Sequence, residues 1–418
     1  MRPSRASTCG VGHRASNPDR GRLRPKRSGL ALVALLSAAV ACGPAEGTDD
    51  PGGEHAPAAS QGFVVSPEPV LVLEDDGSPE KLFSRISARR LPGGEVVVGD
   101  AATGDLVIFG REGQLLRRLA RRGRGPGELE GEFALTAQGD TIYALGRPPM
   151  SPPDVSVFAA DRGFLSRVSP EAANARVVTV LDRLATGELV VQRGLAAAAF
   201  WTVPEPGTLV PDTVVYGLLP ASGDSVRWLP PVIRGTYVSF PWRLGRSTTS
   251  LAPYPLGPAT VMVASSDRLW LIKADGGDFV AHDGAGRQVT AGRLPLDPRP
   301  FDQAEVRRAR DRALATATRG LDSAKARAMY DPALLPRTMP VLSDAHAGPD
   351  GEVWVRLFDL DDEAAPRYLV LDRDGREVGR ATLPARLEVQ QIGTDFVLGI
   401  RNDSLGVESV HEYAFRRR

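Results

Sequence analysis

From about residue 63 the chain is written in short apolar runs, each closed by a cluster of Gly, Asp or Pro. The clearest stretch is Glu95-Val-Val-Val-Gly-Asp100, Asp105-Leu-Val-Ile-Phe109, Gly110-Arg-Glu-Gly113 and Gln114-Leu-Leu-Arg-Arg-Leu119. Runs this short, rich in β-branched residues and joined by hairpin-sized loops, predict a meander of antiparallel strands. The same order of turn, strand, strand, Asp-x-x-Gly-type turn and strand returns at 138–165, 266–289 and 349–378. Weaker copies lie at 186–228, stretched by insertion, and at 394–415.

Units of about 40–50 residues and four strands are the pattern of a β-propeller, whose small sheets stand side by side around an axis. The rival reading, a β-sandwich, accounts for seven to nine strands but not for so many similar meanders. The reading is therefore an all-β, six-bladed β-propeller over residues 63–418. Its last unit shows three strands, near 387–392, 395–400 and 407–415, while Glu68-Pro-Val-Leu-Val-Leu-Glu74 precedes the first unit without a partner. Pairing 68–74 beside 407–415 removes two open edges, so ring closure at that place is expected.

A short helical insertion, about 300–332, breaks the β pattern. Asp302 reads as an N-cap with Glu305 three residues on, and Val306, Ala309, Ala313, Leu314 and Ala317 share one face. Gly320 ends this helix, and a second covers 321–330 before Asp331-Pro332. The insertion either lids one end of the channel or packs on the rim.

Composition sharpens the picture at the N-terminus. Eight of the 51 basic side chains but only one of the 51 acidic ones fall in residues 1–41, which leaves 43 basic against 50 acidic groups in the rest. The remainder has no cationic surplus for phosphates, which argues against a nucleic-acid partner. The basic stretch runs to Arg27 and is followed by the uncharged run Leu30–Ala41, long enough for a signal peptide but too short to span a bilayer. The only cysteines, Cys9 and Cys42, exclude a disulfide scaffold and a cysteine-built zinc site.

Ala39-Val-Ala-Cys42-Gly resembles a bacterial lipobox, which implies cleavage before Cys42 and a lipid on its sulfur. Residues 42–62, rich in Gly, Pro, Ala and acid, follow as a flexible tether. On this reading 1–41 is a lipoprotein signal peptide, and the protein is held at the cell envelope, facing the periplasm or the cell surface. The alternative is ordinary signal cleavage that leaves a free thiol.

Arg121-Arg-Gly-Arg-Gly-Pro-Gly-Glu-Leu129 resembles the glycine-rich inter-blade turn of NHL-type repeats, with Leu129 where Phe is usual. Asp100, Asp105 and Phe109 match positions of the same blade. Together with the lipobox, the chain is similar to bacterial six-bladed β-propeller lipoproteins of the NHL-like or TolB-like kind. That resemblance implies a binding module; a minority of its six-bladed relatives are metal-dependent lactonases or lyases.

Candidate chemistry is sparse. No H-E-x-x-H spacing and no G-x-S-x-G elbow occur, and the loop at 123–128 lacks the third glycine and the following helix that a nucleotide site needs. The five arginines at 117, 118, 121, 122 and 124 could grip a carboxylate or phosphate, or simply pair with acids on the blade surface. Loops near Asp100, Arg121, Arg124 and Asp344 are the expected ligand-binding mouth of the channel, with no catalytic set assigned. No cofactor is expected, although carboxylates gathered from several blades, or the run Asp359-Leu-Asp-Asp-Glu363, would suit Ca²⁺. The expected partners are the membrane, through the lipid, and a protein, peptide or saccharide ligand, with the chain itself a monomer. The alternative function is a metal-dependent hydrolase, lactonase or lyase.

Overall fold

The computed structural model describes residues 61–74, 83–146, 153–170, 179–194, 204–223, 225–244, 247–361 and 363–417. The signal segment 1–41, Cys42 and the tether as far as residue 60 lie outside the described residues.

Strand β1 (Gln61–Leu73) is followed by a four-stranded meander of β2 (Ile86–Arg90), β3 (Val96–Asp100), β4 (Asp105–Phe109) and β5 (Leu115–Ala120). A second repeats it in β6 (Phe133–Gln138), β7 (Thr141–Gly146), β8 (Val155–Ala159) and β9 (Gly163–Val168). The third sheet holds β10 (Thr179–Arg183), β11 (Leu189–Gly194), β12 (Leu209–Leu219) and the short β13 (Arg227–Trp228). It is extended by a long hairpin of β14 (Val232–Leu244) and β15 (Ser247–Pro253). The fourth comprises β16 (Thr260–Ser265), β17 (Arg268–Lys273), β18 (Asp278–Asp283) and β19 (Gln288–Arg293).

The last sheet has eight strands. It joins β20 (Leu342–Ala347), β21 (Val353–Leu357), β22 (Arg367–Leu371) and β23 (Glu377–Thr382), through β1, to β26 (Glu408–Arg417), β25 (Phe396–Asn402) and β24 (Glu388–Ile392). The expected closure is present. Leu73 pairs with Val410, Val72 with His411, Leu71 with Glu412 and Pro69 with Tyr413. The pairing runs further than the pattern suggested, from Phe63 opposite Arg417, while Gln61 and Gly62 lie parallel to β23. Pro69, which has no N–H to donate, sits where the register shifts.

The first strands of successive meanders contact one another: β2 with β6, β6 with β10, β16 with β20, β20 with β24, and β24 with β2. The turns after β10 and β16 are joined by Ala185 N–H donating to Ser266 O at 2.7 Å. Consecutive meanders whose first strands meet in this cycle make a propeller-type arrangement. Second and third strands are covered on both faces by neighbouring sheets, which is why β3 is buried along its whole length and reads as Val-Val-Val-Gly-Asp. Trp270 and Trp354, both fully buried, fill the spaces between sheets. Burying side chains of this size contributes roughly 2–3 kcal/mol each.

Two helices, α1 (Gln303–Ala315) and α2 (Gly320–Met329), lie between β19 and β20. Asp302 caps α1, accepting from Ala304 N–H at 2.8 Å. Glu305 does not complete a capping box; its carboxylate instead takes Arg299 Nη2 at 2.7 Å. Val306 and Ala309 pack with Phe240 and Tyr254 of the β14–β15 hairpin and its continuation. The insertion therefore rests on the third sheet's extension. Among the described residues, no helix is long and apolar enough to cross a membrane.

Candidate functional site

Each meander's first strand is the terminal strand of its sheet, so one edge of its backbone is left without a ladder partner. Among the described residues, six such strands border a cavity of about 380 Å³. Its wall takes Arg89 from β2, Thr136 from β6, Asp182 and Arg183 from β10, Val263 from β16, His346 from β20 and Gln390 from β24. Apart from Gln390, which is central in β24, these fall in the later part of their strands, toward the turn into the second strand.

The cavity's charge comes from two strands. Burial pushes the Arg89 guanidinium down and the carboxylate of Asp182 opposes that shift; arginine nevertheless stays protonated in proteins. Arg89 Nη1 also donates to Ala88 O at 2.8 Å. His346 is held below the ordinary imidazole range by burial, with Asp344 acting against this and Arg356 and Arg89 reinforcing it. Its Nε2 lies 3.6 Å from Asp344 Oδ2, and its ring stands 6.0 Å from that of the buried Tyr368. Gln391 spans two first strands, accepting from Arg90 N–H at 2.7 Å and donating to Arg90 O at 3.4 Å. This side chain supplies the ladder that β2 and β24 cannot form with each other. A cavity so lined offers a paired cation, a neutral imidazole, hydroxyl and amide groups, and edge backbone. It can hydrogen-bond a small polar molecule from several directions.

Of the residues expected at the mouth, Asp344 belongs to a strand of this cavity, one residue before Ala345 and beside His346. Asp100 does not reach it. The register pairs Asp100 with Ile86 and Val96 with Arg90, so Asp100 lies at the opposite end of its sheet from Arg89. It is 6% exposed and accepts from Ser84, Ala102 and Thr103 N–H groups at 3.1, 2.7 and 3.2 Å. That is the work of a turn-closing Asp.

Arg121 and Arg124 stand on the crossover from β5 to β6. Arg121 Nε meets Glu128 at 3.2 Å, and Arg124 Nε meets Glu130 at 2.7 Å. The glycine-rich turn closes on itself through Gly123 N–H to Leu129 O and Leu129 N–H to Arg121 O, at 3.1 and 3.0 Å. Gly125 N–H and then Arg121 hold the Glu128 carboxyl below the usual range. Arg118, Arg121 and Arg124 of the basic cluster thus meet acids of the same loop and blade, Arg117 donates to Asp161 O of the next meander, and the four expected site residues are not gathered together. The acidic run is matched as well: Arg312 reaches Asp361 at 3.8 Å and Arg386 reaches Glu363 at 2.6 Å. Among the described residues, no three His, Cys, Asp or Glu side chains stand close enough to hold a metal ion. None of the helical insertion lines the axial cavity. A separate cavity of about 580 Å³ lies between α2 and the β14–β15 hairpin, beside Trp242 and Arg327.

Arg89, Asp182, Arg183 and His346 escaped the reading of the sequence. They lie on first strands, whose apolar pattern is interrupted by the axis they face. Burial alternates irregularly in β20, where Ala345 is buried between an exposed Asp344 and a half-buried His346. The signal available was positional: a strand had to precede each recognised meander.

No family model matches the chain, and no curated protein does. Among solved structures, it is similar to a member of the DUF4221 family from Bacteroides vulgatus, at 10% identity over 85% of this chain and 98% of that one, with a TM-score of 0.45. Virginiamycin B lyase from Staphylococcus aureus aligns at 9% identity over 84% and 99%, with a TM-score of 0.36. PQQ-bound aldose sugar dehydrogenase from Streptomyces coelicolor aligns at 12% over 86% and 100%, with a TM-score of 0.38. Likenesses this loose establish no residue-by-residue correspondence; the fold stands on the strand pairing above.

Proposed function

We propose that this chain is a lipid-anchored, six-bladed β-propeller of the cell envelope that binds a small polar ligand in its axial cavity and performs no chemistry on it. The count of six takes β1 as the fourth strand of the blade formed by β24, β25 and β26. The carrying observation is that Arg89, Asp182 and His346 come from three different meanders to one cavity walled by edge strands. Cavities of a few hundred Å³ with a few convergent polar groups are the usual form of small-molecule sites. The lipobox-like Ala39–Cys42 and the Gly-, Pro- and Ala-rich stretch that follows support the anchor.

Thermal unfolding with a panel of monosaccharides, amino acids and dicarboxylates tests the site. A stabilising member is expected, and Arg89→Gln should abolish its shift while leaving the unliganded melting temperature within a few degrees. Mass spectrometry of the membrane fraction should find acylated Cys42; an intact soluble protein with a free Cys42 thiol defeats the anchor. Turnover of a lactone by the purified protein, dependent on added Ca²⁺ or Zn²⁺, would replace this reading with the metal-dependent hydrolase one.

A further inference from the structure

Arg183 stands where three cavities meet. It lines the axial cavity, a small pocket of about 170 Å³, and a cleft of about 360 Å³ between the second and third sheets. The cleft is apolar, walled by Tyr143, Val155, Val157, Leu189 and Leu219. The Arg183 guanidinium lies over the Tyr143 ring, 4.6 Å from its centroid. Among the described residues its side-chain hydrogen bonds both leave from Nη1, to Gln138 Oε1 and to Leu184 O, and both acceptors are neutral. Nη2 sits beside Gly187, where a Cβ would come within 3.3 Å of it, and Gly187 lines the cleft.

A guanidinium flanked by neutral oxygens at the head of an apolar cleft is complementary to one kind of molecule. Among the described residues the Nε–Nη2 side of this half-exposed guanidinium makes no hydrogen bond, and a planar carboxylate matches that fork with two parallel hydrogen bonds. The apolar walls take a tail that water would otherwise surround. We propose that the cleft binds an amphiphilic monocarboxylic acid, with its carboxylate on Arg183 and its aliphatic chain against Val157, Leu189 and Leu219. Gly187 is then required to be glycine both for its backbone, at φ +112°, and for the room that its missing side chain leaves beside Nη2. The cleft shares Arg183 with the axial cavity but none of Arg89, Asp182 and His346, which carry the polar-ligand reading above, so the two can be tested apart.

Isothermal titration with decanoate, decanol and acetate tests it. Decanoate should bind at least tenfold more tightly than decanol, and acetate should show no heat. Arg183→Gln should weaken decanoate tenfold or more and leave decanol unchanged, and Arg183→Lys should recover part of the loss. Val157→Phe, which adds bulk to the apolar wall of the cleft, should weaken both ten-carbon compounds. Arg89→Gln, confined to the axial cavity, should leave decanoate binding intact. Equal affinities for decanoate and decanol, no binding of decanoate at millimolar concentration, or an unchanged affinity in a folded Arg183→Gln variant would each overturn the proposal. So would loss of decanoate binding in Arg89→Gln, which would place the acid on the axis instead. Should Arg183→Gln fail to fold by its melting curve, Arg183→Lys and Val157→Phe decide between the same outcomes.

Discussion

Arg417 Nη1 lies 2.7 Å from Glu352 Oε1, linking the end of β26 to the turn before β21 in the neighbouring meander. Glu352 is 6% exposed, and its other oxygen accepts from Trp354 Nε1 at 3.2 Å. The pair therefore ties the closing strand to the sheet beside it, next to the cluster of Phe63, Trp354 and Phe415. Removing the cation leaves a buried carboxylate short of a partner, a defect that costs about 1–3 kcal/mol. Arg417→Ala should lower the urea midpoint accordingly with an unchanged slope, and adding Glu352→Gln should restore part of it. A midpoint that does not move would mean that the pair adds nothing to closure.

Closure should also depend on Leu73, fully buried where β1 meets β26 and packed in the cluster of Phe109, Leu398 and Val410. Leu73→Ala should cost about 2–5 kcal/mol in equilibrium unfolding, the usual range for a Leu→Ala cavity. A loss below 1 kcal/mol would show that the ring holds without its first strand.

Two glycines with similar backbones should respond differently to alanine. Gly375 has φ +84°, and a Cβ there would stand 2.4 Å from the Phe279 ring of the adjacent sheet. Gly406 has φ +80° and nothing within 4 Å. Gly406→Ala should cost about 1–2 kcal/mol, the price of a left-handed alanine. Gly375→Ala should cost clearly more, because the ring must also move. Equal losses in differential scanning calorimetry would remove the inter-sheet contact from the account.

Burial holds His282, His346 and His411 below the ordinary imidazole value, with Asp283, Asp344 and Glu74 respectively acting against it. A lowered folded-state value means that the unfolded chain takes up protons first. The stabilising contribution is complete above about pH 6.5 and is lost as pH falls through the lower folded-state values. Burial raises Glu388 and Glu412, which gives the opposite slope beginning near pH 4.5. Chemical unfolding between pH 7.5 and 5.5 should therefore show stability falling with acidity, and His346→Gln should flatten that slope. A slope unaltered by His346→Gln would contradict a half-buried imidazole held neutral.

Much of the architecture was already legible in the chain. The second and third strands of each meander are sandwiched between sheets, so continuous apolar runs such as Leu269-Trp-Leu-Ile272 and Val353-Trp-Val355 announce them directly. The turns that join strands three and four are just as local. Asp283 and Asp372 accept from backbone N–H groups within four residues, and Gly286 and Gly375 take positive φ. The closing strand could be inferred because an apolar run without a neighbour and a three-stranded last unit each leave an edge that needs covering.

What the chain alone determined, then, was everything carried by burial on both faces of a strand or by contacts within a turn. The tertiary structure decided which polar residues meet. Arg89, Asp182 and His346 are separated by about a hundred residues or more and share no motif; only the cycle of first strands brings them to one cavity. Asp100 and Arg124 looked like site residues because they are polar and sit at conspicuous turns, yet their partners are backbone amides and a nearby glutamate. Local hydrogen bonding satisfies a turn residue without reference to the axis. A first strand faces that axis, so its side chains carry no simple periodicity and acquire their meaning from the neighbours that ring closure supplies.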